Sequence, residues 1–178
     1  MPQKFGGTVC FIDRDDINTD EIIPAKYLTE ISKKALGPHL LEDLKLEDFD
    51  PRALKKAQVI ITRSNFGCGS SREHAVWAFE VNDIKVIIGE SFARIFRQNC
   101  FNCGILAIEL PKKEINNLFN TGFYDEGSQI LINTDLNSLQ LATNGMTTYS
   151  EPVPFTLNDF DRSLIEAGGW LKYANKNY

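Results

Sequence analysis

Between residues 58 and 110 the chain alternates short apolar runs with helix-length segments, and no other feature limits its fold as much. Gln58-Val59-Ile60-Ile61-Thr62 is an apolar run of strand length, with Gly67 and Gly69 punctuating the turn after it. Ser71 to Val81 sets Ala75, Val76 and Phe79 on one face of a helix, and Ile84 to Ile88 repeats the buried-strand pattern. Ser91 to Asn99 reads as a second helix with Phe92, Ile95 and Phe96 at i, i+3, i+4 spacing, and Gly104 to Leu110 as a third strand. Strand–helix–strand–helix–strand with short connections requires right-handed crossovers and a parallel, helix-covered sheet. The class is α/β.

The flanking segments add to this unit. Phe5 to Ile12 reads as a first strand, followed by a polar loop from Asp13 to Asp20 that ends in Ile22-Ile23-Pro24. Ala25 to Leu36 has the pattern of a helix, with Gly37-Pro38 as its stop signal. After Gly127 the texture changes to strand pairs, Ile130 to Asn133 and Leu139 to Thr143, an added β section. Phe155 to Trp170 closes the chain as a helix stopped by Gly168-Gly169. There is no internal repeat and no Ser/Gly linker; the nearest thing to a boundary is the turn-rich stretch from Thr121 to Gln129. Residues 1–178 are therefore expected to form one domain, as is usual at this length.

Composition narrows the function classes. At 43% hydrophobic with twelve Phe, the chain can fill a core. Its 19 Lys and Arg against 24 Asp and Glu give a net charge of −5, and the basic residues occur only as scattered pairs. Such a surface is a poor partner for nucleic acid or an anionic membrane. Met1 to Gly7 lacks the regions of a secretory signal, and no apolar run reaches the roughly 18 residues of a bilayer span. The expected location is cytoplasmic, where Cys10, Cys68, Cys100 and Cys103 stay reduced. Two His and four Cys leave little for a self-sufficient metal centre. Only Cys100-x-x-Cys103 is paired; zinc would need two more ligands from Cys10, Cys68, His39 and His74. A redox pair normally opens a helix, whereas this one follows a predicted helix. No metal ligand is expected in this chain.

Chemistry concentrates in Ser64-Asn65-Phe66-Gly67-Cys68-Gly69-Ser70-Ser71-Arg72-Glu73-His74, between a buried strand and a helix. A helix start offers free N–H groups and a positive dipole end to an anion. Ser70 with Glu73 three residues later also fits a capping box, so a plain serine cap accounts for the same residues. A P-loop needs Gly-Lys-Ser/Thr, and a nucleophile elbow Gly-x-Ser-x-Gly; neither is present. The dinucleotide fingerprint comes closer, with Gly67-x-Gly69 after a strand and Glu90 ending the next one. Its third glycine position holds Arg72, but a nucleotide- or anion-binding module without catalysis remains an alternative. A serine hydroxyl becomes a base only if its alkoxide is stabilised, and a helix end with Arg72 supplies that. The same groups would hold a substrate carboxylate. A Ser71–His74 arrangement at i, i+3 is also conceivable, although no orienting carboxylate is evident.

Asn65 to Ala75 resembles the signature of the small subunit of 3-isopropylmalate dehydratase, in the aconitase superfamily. Asp16-Ile17-Asn18-Thr19-Asp20-Glu21-Ile22-Ile23-Pro24-Ala25 is similar to that family's N-terminal motif. Glu90 to Phe96 and Asn99 to Gly104 resemble its third, and all keep the family's order over nearly the whole chain. The resemblance implies a swivelling β/β/α domain that closes over a separate large subunit carrying a [4Fe–4S] cluster. It implies that the cluster iron acts as Lewis acid on the departing hydroxyl while a serine alkoxide of the swivelling domain takes the proton. By position Ser70 is that base, Arg72 stabilises it and binds a substrate carboxylate, and Ser71 adds a hydrogen bond.

The family's close relatives include homoaconitase and 2,3-dimethylmalate dehydratase small subunits. The resemblance places Lys26-Tyr27-Leu28-Thr29-Glu30 against the variable substituent of a small dicarboxylate substrate. An extra carboxylate, as in homocitrate, needs a cation there, since an unpaired buried charge is costly. Thr29 with the apolar surface of Tyr27 and Leu28 favours isopropylmalate, while Lys26 and Glu30 leave the other substrates open. The expected activity is a hydro-lyase of leucine biosynthesis that is inactive without its large subunit.

Overall fold

The structure, a computed structural model, describes residues 5–178, so the reading of Met1 to Gly7 lies partly outside the described residues. The elements run β1 (Gly6–Phe11), α1 (Thr19–Ile22), α2 (Lys33–Leu36), α3 (Pro51–Lys56), β2 (Val59–Ile61), α4 (His74–Val81), β3 (Val86–Gly89) and α5 (Arg94–Asn102). They continue with β4 (Leu106–Glu109), α6 (Lys112–Gly122), β5 (Gln129–Asn133), β6 (Ser138–Thr143), β7 (Thr148–Tyr149), β8 (Val153–Pro154), α7 (Asp159–Ala167) and α8 (Trp170–Asn177).

The strands form one mixed sheet in the order β4-β3-β2-β1-β5-β6-β7, with β8 also paired to β6. β1 to β4 are parallel, with Val9 opposite Val59, Val59 opposite Val86 and Val86 opposite Leu106. The expected parallel unit is thus present, and Val59–Ile61 and Val86–Ile88 are wholly buried. β5 to β8 are the added antiparallel section. The two halves meet on β1. Gly6 to Thr8 pair with β5, and Val9 to Phe11 pair with β2.

Several elements differ from the sequence reading. The helix expected over Ala25–Leu36 is broken into a single 3₁₀ turn at Ala25–Tyr27 and the short α2. Tyr27 is drawn aside: its ring stacks on His39 at 3.8 Å, and its hydroxyl donates to Glu42 at 2.7 Å. α6 went unread, although Ile115, Leu118, Phe119 and Gly122 supply a buried stripe after Pro111. The supposed boundary beyond it is tied down. Ser128 Oγ donates to the Gly122 carbonyl at 2.9 Å, and the Ser128 carbonyl accepts from Val9 N–H at 3.1 Å. At the C-terminus Gly168 ends α7 in the left-handed region (φ 87°), as a C-terminal glycine should. The chain then re-enters a helix as α8.

Phe119 joins the two halves of the core. Its ring meets Phe11 of β1 at 5.1 Å and lies 4.0 Å beneath the guanidinium of Arg63, which also bonds Asp13 and Asn116. Phe119→Ala should cost about 3–5 kcal/mol by loss of burial and the cavity left behind. The check is a lowered urea midpoint with an unchanged slope.

Candidate active site

Three segments distant in sequence are laced together at the C-terminal ends of β1 to β3. Gly67 N–H donates to the Ile17 carbonyl at 2.8 Å and Thr19 N–H to the Cys68 carbonyl at 2.9 Å. On the other side Phe66 N–H donates to the Ser91 carbonyl at 3.1 Å, and Ala93 N–H donates to the Phe66 carbonyl at 3.0 Å. Asp15 accepts from both the N–H and the hydroxyl of Ser64, at 2.9 and 2.8 Å, which lowers its pKa. Asn65 Nδ2 donates to Asp16 at 2.9 Å, and Asn65 N–H donates to Ser91 Oγ at 2.8 Å. The first and third motifs therefore flank the second through single parallel bridges, Asn18 with Cys68 and Phe92 with Phe66.

Local chemistry explains why each segment takes this shape. Asn18 caps α1, its Oδ1 accepting from Glu21 N–H at 2.9 Å, while Glu21 pairs with Arg14. The wholly buried Phe66 plugs the loop into an aromatic cluster with Phe79, Phe92 and Phe96 at centroid distances of 5.5–6.2 Å. Gly67 has φ +81°, and a Cβ there would stand 2.1 Å from Phe96 Cγ. Only glycine lets the chain turn this close to the ring. Gly67→Ala combines backbone strain with overpacking, and a loss of about 2–4 kcal/mol is expected by urea denaturation.

The capping box does not form. Glu73, not Ser70, occupies the N-cap position of α4 and makes no side-chain cap bond. Glu73 instead accepts from Cys103 Sγ at 3.5 Å. Ser70 is half-buried and Ser71 and Arg72 are exposed. Their side chains have no hydrogen-bond or ion-pair partner among the described residues; the Ser71 carbonyl accepts from Asn99 Nδ2 at 3.4 Å. His74 packs against Trp77 at 4.6 Å and makes no bond to Ser71. The serines are left free rather than consumed as caps.

Beside Ser70 lies a cleft of about 400 Å³ lined by Gly67, Gly69, Ser70, Ser71 and the start of α5, Ala93 to Phe96. Two of these lining residues were missed. Ile95, expected on the buried face of its helix, is 53% exposed beside the serines. Arg94 is exposed at the same cleft, without an ion-pair partner among the described residues. An unpaired cation beside a serine loop in an acidic chain was the available signal. The structure brings Ser70, Ser71 and Arg94 to one cleft with Arg72 next in sequence; Tyr27, Leu28 and Thr29 are not among its lining residues.

A dinucleotide reading loses its basis. The face of Gly67 is filled by Phe96, and α4 begins seven residues later, so these glycines do not cradle a pyrophosphate at a helix start. Glu90 faces a different, charged cleft with Arg63 and Lys112. Nor do the thiols fit a metal or a cluster. Burial pushes Cys10 and Cys103 up to about 12 and Cys100 well above its ordinary value, with Asp50 adding to the first and Glu80 and Glu73 to the second. Among the described residues no group of three or more His, Cys, Asp or Glu is placed to hold a metal ion.

Comparison with known proteins agrees with this geometry. Residues 49–113 match the family model of the aconitase C-terminal domain. The chain is 37% identical to the 3-isopropylmalate dehydratase small subunit of Marinobacter nauticus, over 91% of this chain and 81% of that protein. The chain belongs to the 3-isopropylmalate dehydratase small-subunit family. A second member, from Thermodesulfovibrio yellowstonii, is 39% identical over 91% of this chain and 89% of its own. A crystal structure of 3-isopropylmalate dehydratase from Methanocaldococcus jannaschii superposes with a TM-score of 0.70 at 29% identity, covering 96% of this chain and 93% of that one. The swivelling α/β fold expected from the three motifs is therefore this family's fold.

In this family member the four thiols should be poor nucleophiles, because only the thiolate reacts. Burial and the nearby Asp16 raise the pKa of Cys68, yet it is the least enclosed of those shifted upward. At pH 8, iodoacetamide followed by peptide mapping should label Cys68 slowly, faster as pH rises. Cys10, Cys100 and Cys103 should react only after unfolding.

Proposed function

We propose that this chain is the small subunit of a cytoplasmic hydro-lyase that interconverts 2-isopropylmalate and 3-isopropylmalate in leucine biosynthesis. Its 178 residues act as one swivelling domain, active only with a large subunit. The observation that carries this reading is the Ser70 hydroxyl at a cleft that Arg94 lines, with Arg72 two residues along the loop; among the described residues none of the three side chains has a hydrogen-bond or ion-pair partner. Arg72 and the unpaired backbone N–H groups of the loop stabilise a Ser70 alkoxide. That alkoxide removes the proton from the carbon next to the hydroxyl-bearing one, and the C–H electron pair becomes the double bond as hydroxide leaves. Rehydration exchanges the two positions: hydroxide from water joins the carbon that lost the proton, and Ser70 gives its proton to the carbon that lost the hydroxyl.

The [4Fe–4S] cluster belongs with the partner in this reading, because a cluster needs several converging thiolates and no group of three or more His, Cys, Asp or Glu is so placed among the described residues. What this chain contributes is proton transfer and the holding of a dicarboxylate. Arg72 and Arg94 match the two carboxylates in charge, and Ser71 adds a hydrogen bond.

Apolar surface at the same cleft suits an isopropyl group. Ile95 and Ala93 line it, and Tyr27, Leu28 and Thr29 are proposed to close over the substituent from the first motif's side. Homocitrate would need a further cation there. Lys26, the nearest in sequence, lies 5.1 Å above the Tyr27 ring and 3.9 Å from Glu42, already engaged. A reconstituted pair should turn over isopropylmalate well ahead of homocitrate and dimethylmalate when the three are assayed together.

Ser70→Ala should preserve folding and association with the large subunit while turnover falls by about 10²–10⁴-fold, the usual share of a general base. Near-normal turnover in the reconstituted variant would remove Ser70 from this role.

A further inference from the structure

One polar atom beside the catalytic loop is left without a partner. Thr19 is 4% exposed, and its Oγ1 is shielded from solvent with no hydrogen bond. Its own N–H is bound to the Cys68 carbonyl at 2.9 Å, which holds the residue against the loop. A Cβ placed on Gly69 would stand 3.6 Å from Thr19 Oγ1, so the hydroxyl lies within van der Waals reach of the glycine. The backbone N–H groups of Gly69 and Ser70 have no protein acceptor among the described residues. Orphaned donors and an orphaned hydroxyl therefore belong to neighbouring residues.

A buried hydroxyl without a partner destabilises a fold, and valine has nearly the same shape without that cost. The one other buried side-chain oxygen in this condition among the described residues is Thr62 Oγ1, at the end of β2. Thr62 is part of the sheet, its N–H donating to the Ile88 carbonyl at 2.8 Å. Thr19 differs in lying against a loop whose serine must be aimed at a carbon atom.

We infer that Thr19 is a positioning residue for Ser70. In the substrate-bound complex its hydroxyl takes the peptide linking Gly69 and Ser70 as hydrogen-bond partner. Gly69, with no side chain to block rotation, lets that peptide turn toward it. One added bond then sets the direction of the Ser70 side chain, so the fold keeps a hydroxyl that is unpaired in the free chain. The inference rests on Ser70 being the base.

The test uses the complex reconstituted with its large subunit and the variants Thr19→Val, Thr19→Ser, Thr62→Val and Ser70→Ala. Thr19→Val should leave the melting temperature of the free chain unchanged or higher. In the complex it should lower kcat at least tenfold, with KM within about twofold. Thr19→Ser should recover most of the lost kcat, and Thr62→Val should keep kcat within twofold. Hydrogen exchange of the peptide spanning residues 66–75 should slow on adding isopropylmalate to wild type and to Thr19→Ser, but not to Thr19→Val. A Thr19→Val complex with kcat within twofold of wild type, a serine variant as slow as the valine one, or a valine variant that is less stable or unfolded would each overturn the inference. Ser70→Ala separates the two readings. If it keeps turnover, the base assignment fails, while exchange at residues 66–75 still reports whether Thr19 orders the loop.

Discussion

The backbone of Phe66 and Gly67 is gripped from both sides, by Ile17 on one and by Ser91 and Ala93 on the other, and the shape of the candidate site depends on that grip. Each such bond contributes only about 1 kcal/mol net. Together with the burial of Phe66, about 2–3 kcal/mol, they hold a loop that carries no regular structure of its own. The side chain below anchors the loop in the core and the glycine above lets it turn. Cys68 to Arg72 then project from a rigid base. A rigid base of this kind confines whatever must still be ordered to residues 68–72 themselves.

The same arrangement accounts for the electrostatics. Asp13, Asp15 and Glu21 are each engaged near the loop, by Arg63, Ser64 and Arg14. Arg72 and Arg94 are left without such partners among the described residues. An acidic chain thereby presents local positive charge at the serine loop, where the proposed function puts an anionic substrate.

Much of this was legible in the sequence. The uninterrupted apolar runs of β2, β3 and β4 announce a parallel sheet, because strands covered on both faces need no alternation. The loop motif singled out a candidate site, although a plain serine cap fitted the same residues in the sequence. What stayed hidden depends on contacts across the chain. Ser70 and Glu73 satisfy the spacing of a capping box, and nothing local shows that the helix starts at His74 instead. Ile95 has helical spacing with Phe92 and Phe96 in the sequence, yet α5 starts only at Arg94: Phe92 lies outside the helix, bridged to Phe66, and Ile95 lines the cleft. The Tyr27 segment departs from a helix because His39 and Glu42 capture the ring and hydroxyl from twelve and fifteen residues away. α6 is of a different kind, because its apolar stripe of Ile115, Leu118 and Phe119 is plain in the sequence itself.

β1 pairs along its first half with an antiparallel neighbour and along its second half with a parallel one. A residue inserted or deleted there would turn every following side chain to the opposite face and offset both neighbours at once. Length changes should therefore be tolerated very unevenly along this chain. They are excluded from the opening strand and absorbed most readily at the far edge, where β7 is two exposed residues long. Fusions and tags are best attached on that outer rim, which can vary without disturbing the strand the two halves share.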